Sequence, residues 1–345
     1  MNAKHKWPWV VAVLAVLVLA VAAAGCGGGN EAATTGGAAG GTETSGGAKI
    51  KVGLVTDIGG LNDRGFNSLA NKGLEDAKSQ LGVEGRVLES KSDADYIPNL
   101  SEFGDQGYDL IISVGFLMTD ATTQAAKAYP DSTFAIVDSA FDPAIDNAQG
   151  LLFKEQEAGC LVGTVAALTS KTGTISSVGG QKIPPVDRFI AGYQFCAKKA
   201  KSDIKVLNEY SQDFVDQAKC KEIALDQITK GSDVVFQVAG GCGLGALDAA
   251  KQKGVWGIGV DADQSFLGDH ILTSAVKRVD VAVFKTIEAV QKGETIGGSV
   301  TTFGLKEDGV ALGTVSPKVP QDVLDQVEQI KQQILDGSLE IPDTL

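Results

Sequence analysis

From Lys49 onward the chain alternates between short β-branched runs and stretches in which apolar residues return every three or four positions. KIKVGLV precedes FNSLANKGLEDAKSQLG, where Leu69, Gly73, Leu74 and Ala77 share one helical face. RVLES leads to DADYIPNLSEFGDQG, LIISVG leads to TDATTQAAKAYP, and TFAIVD closes a first series. After LLFKEQEAGCLVGTVAALTS the alternation restarts: TISSVGG leads to PVDRFIAGYQFCAKKA, IKVLNEY to DQAKCKEIALDQITKG, and DVVFQVAGG to GLGALDAAKQKG, with VWGIGVD last. Strand–helix alternation of this kind predicts an α/β fold with parallel sheets covered by helices on both faces. Two such series predict two doubly wound parallel-sheet lobes joined by a hinge, a clamshell. ILTSAV, VDVAVFKTIEAVQKG, VTTFGL and DVLDQVEQIKQQILDG are too short for a third domain and are expected to cross back between the lobes. Lobe 1 is then expected over 48–152 plus about 270–295, and lobe 2 over 153–269 plus about 296–345.

In parallel α/β sheets ligands sit beyond the carboxyl ends of the strands. Here those ends are Asp57, Gly115, Asp138, Gly179–Gly180, Tyr210, Gly240–Gly241 and Asp261. The expected cleft is therefore rich in carboxylate acceptors and glycine.

The first 26 residues are patterned differently. A basic start at Lys4–Lys6 precedes the unbroken apolar run Val10–Ala24, 15 residues long, and Ala-Ala-Gly-Cys ends at Cys26. The run is short of the roughly 20 residues of a spanning helix, and the small-residue exit reads as an export signal. A cysteine directly after it resembles a bacterial lipobox, with Ala23 where leucine is usual. Residues 27–47, nearly free of large side chains, read as a flexible tether with a span of about 25 Å.

The net charge of −13 excludes nucleic acid as an expected partner. His5 falls in the signal and His270 in a loop, and no Cys-x-x-Cys follows Cys26, so no metal site is expected. Cys160, Cys196, Cys220 and Cys242 form an even set in an exported chain, compatible with two disulfides in three connectivities or with four buried thiols.

The loop TDIGGLNDRGFNSL after the first strand lacks G-x-x-x-x-G-K-[ST] and the calcium-loop pattern. Asn62 or Asp63 is positioned to cap the next helix. Phe66, an aromatic in the first turn, would overhang the cleft, so the loop reads either as a cap alone or as a cap with ligand contact. VVFQVAGGCGLGALDAAKQKGVWGIGVD imitates a dinucleotide fingerprint with Asp261 at the next strand end, although Ala246 occupies the third small position. Glycines allowing close approach, with a carboxylate on vicinal hydroxyls, suit any ribose. No nucleophile–base pairing, G-x-S-x-G or HExxH is present, so catalysis has no positive support and no cofactor is expected.

Taken together, D-x-G-G-x-N-D-x-x-F-N, G-V-D-x-D-Q, GCLVGTVAALTSKTGTISSVGG, FVDQAKCKEIA, ILTSAVKRVD and TTFGLKEDGVAL resemble the basic membrane lipoprotein family. These are the purine-nucleoside receptor group of solute-binding proteins serving ABC transporters, with the periplasmic-binding-protein type I-like clamshell. The resemblance implies a nucleoside held between two aromatic rings, matched by Phe66 and by Phe214, with Tyr210 nearby in register. It implies base contacts at Asn62, Asp63, Asn67 and Asp120, and the strand-end carboxylate Asp57 is expected in the ligand-binding set with them. It also implies a ribose grip by Asp261 and Lys277, with close approach at Gly240 and Gly241. An ABC permease is the implied partner, the membrane is reached through a lipid on Cys26, and the implied location is the extracytoplasmic face of the cell membrane. The four later cysteines depart from the family pattern. If lobe 2 carries its helices in flavodoxin-like order, Cys160 and Cys196 lie on neighbouring helices and Cys220 and Cys242 near neighbouring helix starts. The expected pairs are then Cys160–Cys196 and Cys220–Cys242. Other readings left open are a sugar, quorum-signal or flavin receptor of the same fold, an exported dinucleotide-dependent enzyme, and a surface antigen.

Overall fold

A computed structural model describes residues 49–345; the export signal, Cys26 and the tether over 27–47 lie outside the described residues. The first series forms β1 (Lys51–Thr56), α1 (Phe66–Leu81), β2 (Glu84–Leu88), α2 (Tyr96–Asp105), β3 (Leu110–Val114), α3 (Thr119–Ala128), β4 (Thr133–Val137) and β5 (Ala148–Phe153). The second forms α4 (Glu155–Thr169), β6 (Thr174–Gly179), α5 (Pro184–Ala200), β7 (Lys205–Tyr210), α6 (Gln217–Thr229), β8 (Val234–Val238), α7 (Gly240–Lys253), β9 (Trp256–Asp261) and β10 (Ile271–Lys277). α8 (Val279–Gln291), β11 (Val300–Phe303), β12 (Val310–Leu312) and α9 (Gln321–Leu335) complete the described chain.

The strands assemble into two sheets, in the orders β11-β5-β4-β3-β1-β2 and β12-β10-β9-β8-β6-β7. All pairs are parallel except β10 with β12. Central strands such as LIISV of β3 and VVFQV of β8 are buried along their whole length, as strands covered on both faces must be. β7, by contrast, lies at a sheet edge and keeps only intermediate or exposed residues. Leu54, Leu74 and Ile112 pack on one face of the first sheet, and Phe103, Ile111 and Phe134 on the other. Full burial of such a side chain contributes about 1.5–3 kcal/mol.

The tail crosses between the lobes at points other than those expected. β10 pairs with β9 and belongs to the second sheet, so the first sheet regains the chain only with α8 and β11, not near residue 270. β11 pairs with β5, so the final return follows Phe303 and not residue 296. The reason is edge pairing. Each sheet takes one tail strand as its outermost member, a contribution that apolar periodicity does not encode. The three crossings are tied to one another: Lys154 N donates to Phe303 O (3.0 Å), and Arg278 N donates to Gly309 O (2.8 Å). β5 itself, AQGLLF, runs into α4 with no turn residue between them, which is why alternation alone does not separate it.

Two disulfides lie in lobe 2, in the pairs expected from the helix order. Cys160–Cys196 joins α4 to α5 with a Cα separation of 4.9 Å, and Cys220–Cys242 joins α6 to α7 at 5.6 Å. Sequence separations of 36 and 22 residues correspond to about 3–4 kcal/mol each in the loop-entropy picture.

Candidate functional site

Strand ends from both sheets converge on one cavity with about 590 Å³ of space not filled by protein atoms, part of it open to solvent. From lobe 1 it receives Asp57 after β1, Phe66 and Asn67 from the first turn of α1, Phe116 after β3, and Asp138 after β4. From lobe 2 it receives Phe189 on α5, Phe214 on the loop after β7, Gly240 at the start of α7, Asp261 ending β9 and Lys277 ending β10.

The lobe 1 wall is set by the entry into α1. Asp63 is buried, and its carboxylate accepts from the backbone N–H groups of Asn67 (2.6 Å), Gly65 (3.0 Å) and Ser68 (3.1 Å). The helix-start donors that otherwise lack partners are thereby satisfied. This fixes Phe66 and Asn67 at the cavity. Asp57 accepts from the Tyr96 hydroxyl and from Ile58 N (2.6 Å). Burial pushes its carboxyl up to about 6, Asp138 adding to the rise while the Tyr96 and Ile58 donors oppose it. Gly115, at φ 123°, backs onto this carboxylate: a Cβ there would lie 2.5 Å from Asp57 Oδ2, so only glycine fits.

On the lobe 2 side, Lys277 is almost fully buried, with its Nζ 2.7 Å from Asp138 Oδ2, 3.4 Å from Glu155 Oε1 and 3.9 Å from Asp261 Oδ1. Burial, the largest single influence, opposes the ammonium charge. The carboxylates of Asp138, Glu155 and Asp261 together outweigh it and hold Lys277 above its ordinary range. The same ammonium sits 4.8 Å from the Phe66 ring centroid, 5.4 Å from that of Phe153 and 5.5 Å from that of Phe189, within cation–π reach. Burial raises the pKa of Asp261 to about 7; Asp138, Asp63 and Glu155 push it the same way and Lys277 opposes them. Glu155, fully buried, is also raised by burial, against the pull of Lys277 and of Arg188, whose Nε donates to it at 2.6 Å.

Three carboxylates and two cations thus form one buried network that spans both lobes. Two acceptors on the cavity wall, Asp138 Oδ1 and Asn67 Oδ1, are buried without a hydrogen-bond partner. Such atoms carry a desolvation penalty unless a donor reaches them. The lysine ammonium can donate to a hydroxyl oxygen while the carboxylate oxygens beside it accept from paired hydroxyls, and the surrounding rings can hold a flat apolar face.

Of the residues singled out by sequence, Asp57, Asp63, Phe66, Asn67, Phe214, Gly240, Asp261 and Lys277 line this cavity. Three do not. Asn62 is exposed and faces a separate surface cavity with Arg64 and Lys251, because capping turns Asp63 inward and its neighbour outward. Asp120 is exposed on α3, because the single helical turn over 116–118 places Phe116 at the rim instead. Gly241 lies behind Gly240, against the Phe214 backbone. Between the two aromatic candidates in lobe 2, Phe214 lines the cavity, while the Tyr210 hydroxyl donates to Asp187 at 2.5 Å. Asp138, Glu155, Arg188 and Phe189 stand outside the ligand set expected from sequence. Asp138 was visible as a strand end, whereas nothing in the local sequence marks Glu155 or Phe189 as neighbours of Lys277.

Residues 50–344 match the family described as ABC transporter substrate-binding protein PnrA-like. The ABC transporter nucleoside-binding protein BmpA of Lactococcus lactis is 37% identical over 323 residues, covering 87% of this chain and 91% of that protein. An uncharacterized lipoprotein of Pyrococcus furiosus is 39% identical over 289 residues, covering 79% of this chain and 72% of that protein. Among solved structures, a solute-binding protein of an ABC transporter system from Aeropyrum pernix superposes with a TM-score of 0.77 at 31% identity, covering 84% of this chain and 92% of that one. This is a family of solute-binding proteins and not of enzymes, which sets aside the dinucleotide-enzyme reading of the GGCGLG turn. The chain belongs to the PnrA-like family of ABC transporter substrate-binding proteins.

Proposed function

We propose that this protein captures a nucleoside, with purine nucleosides the preferred class, and hands it to an ABC permease while held to the extracytoplasmic membrane face by a lipid on Cys26. The observation that carries the reading is the pairing of Phe66 and Phe214, one ring from each lobe, on a cavity that also holds Asp261, Asp138 and Lys277. A base between two rings gains about 1–3 kcal/mol of stacking per base and tolerates any base. Asp261 and Lys277 then take the ribose diol, the carboxylate accepting from one hydroxyl and the ammonium donating to an oxygen. Asp138 joins them, because its free oxygen lies on the same wall. Asp57 and Asn67 are the base-edge contacts, Asp63 holds their loop, and Gly240 permits close backbone approach. Asn62, Asp120 and Gly241 drop out of the ligand set. The printed name of the Lactococcus relative and the lipobox at Cys26 support the nucleoside and the anchor respectively.

Mass spectrometry of the molecule released on denaturing the purified full chain tests this. A purine nucleoside is the expected result. A bound hexose or flavin would replace the reading with another receptor of the same fold.

A further inference from the structure

We infer that the Cys220–Cys242 disulfide is a positioning element of the ligand site: it holds the Phe214 loop against the start of α7, so that the lobe 2 aromatic face is in place before ligand arrives. The inference rests on the assignment of Phe214 to the cavity made above.

Phe214 belongs to a short loop, 211–216, between the edge strand β7 and α6. The loop has little packing of its own: Val215 is 54% exposed, and only Cys220, Ala224 and Gln227 are buried on α6. Its internal order is polar. Asp213 accepts from Val215 N and Asp216 N (2.8 and 3.0 Å), and Asp216 caps α6 through Ala218 N (2.9 Å). Ser211 N and Gln212 N tie the start of the loop to Gly179 O (2.9 Å) and Gly180 O (3.0 Å), the Phe214 ring packs partly on the core, and the Phe214 carbonyl accepts from Cys242 N at 2.9 Å. Cys242 is thus bound twice, by its N–H to the Phe214 backbone and by its sulfur to Cys220 in the first turn of α6. The two ends of the loop's anchor are closed by one covalent bond. Gly180 completes the seat, since a Cβ there would overlap the Phe214 ring.

The other disulfide provides an internal control. Cys160–Cys196 joins α4 and α5, which approach closely at Gly159, Gly163 and Gly192, and it is covered by Ile341 of the C-terminal segment. None of the residues lining the cavity belongs to that cluster, although α5 carries both Cys196 and Phe189. Both bonds constrain the unfolded chain, but only one is attached to the ligand-facing loop.

The test uses the full chain as wild type, Cys220→Ala/Cys242→Ala and Cys160→Ala/Cys196→Ala, read by calorimetric titration with adenosine and guanosine and by residue-resolved hydrogen exchange without ligand. Expected are at least about tenfold weaker binding and at least about tenfold faster amide exchange over 211–219 in the first variant only. Both variants should lose thermal stability. Unchanged affinity together with unchanged loop exchange overturns the inference, because the bond then serves stability alone. If Cys220→Ala/Cys242→Ala does not fold, Cys220→Val/Cys242→Ala refills part of the volume; failure of both to fold also overturns it. If the wild type binds no nucleoside, the functional reading falls separately. The exchange measurement then decides the inference: faster exchange confined to the loop sustains it and uniform exchange overturns it.

Discussion

Phe66 and Phe214 line the same cavity, yet different physics holds each of them. Phe66 is the first residue of α1, whose start is satisfied by three backbone donors to Asp63 and whose inner face, Ala70, Leu74 and Ala77, is buried in the core. Phe214 stands in a polar loop beside an edge strand, held through its carbonyl and a neighbouring disulfide. The first ring is positioned by secondary structure, the second by local covalent and hydrogen-bond ties. A two-lobed receptor can therefore build one half of its clamp rigidly and hold the other on a loop fixed by a cross-link.

The largest expected effect falls on what the two halves share. Lys277→Met leaves Asp138, Glu155 and Asp261 without their common cation, and breaking a buried pair of this kind costs about 3–5 kcal/mol. Urea unfolding should report that loss, and a change near zero would mean that the network is not held together by Lys277.

Next in size are the rings and the diol contact. Phe66→Ala, Phe214→Ala and Asp261→Ala should each weaken purine-nucleoside binding at least about tenfold by calorimetry. The comparison is sharpened by stability: Phe66→Ala should lower the melting temperature more than Phe214→Ala, since only Phe66 is built into a packed helix. Equal losses of stability would remove the distinction.

The pH dependence is smaller and runs in two directions. Asp261, raised to about 7 by burial, is neutral more often in the fold than in the unfolded chain. Its contribution to stability is present below the ordinary carboxylate value and is lost as pH rises through about 7. The proposed diol grip needs the ionised carboxylate as acceptor, so affinity should increase between about pH 5 and about pH 8. Asp261→Asn should flatten both trends, and an affinity independent of pH in the wild type would place the diol elsewhere.

The smallest expected effects mark the edge of the site. Asn62→Ala and Asp120→Ala should leave the affinity within about twofold, because both side chains are exposed and off the cavity wall. A tenfold loss from either would redraw the lobe 1 wall.

Much of this arrangement is legible in sequence because parallel α/β folds place strand ends at the cleft. Asp57, Gly115, Asp138, Gly240 and Asp261 all end or follow strands and all reach the cavity. Orientation within a loop is less legible. Asn62 and Asp63 are adjacent, and only the capping hydrogen bonds decide which one turns inward. Long-range contacts are not legible at all. Glu155 meets Lys277 across 122 residues of chain because both stand at crossings between the lobes, Arg188 joins only through Glu155, and no local pattern records that. The tail strands are similar: strand pairing, not hydrophobic periodicity, places β10 beside β9 in lobe 2 and β11 at the edge of lobe 1 beside β5.

Calorimetric titration of the full chain with adenosine and with 2′,3′-dideoxyadenosine tests the central claim most directly, because it reads the stacked base and the gripped diol in one comparison. The account predicts saturable one-to-one binding of adenosine and at least about tenfold weaker binding of the dideoxy compound. Equal affinity for the two, or binding of a hexose with no heat from any nucleoside, would contradict it.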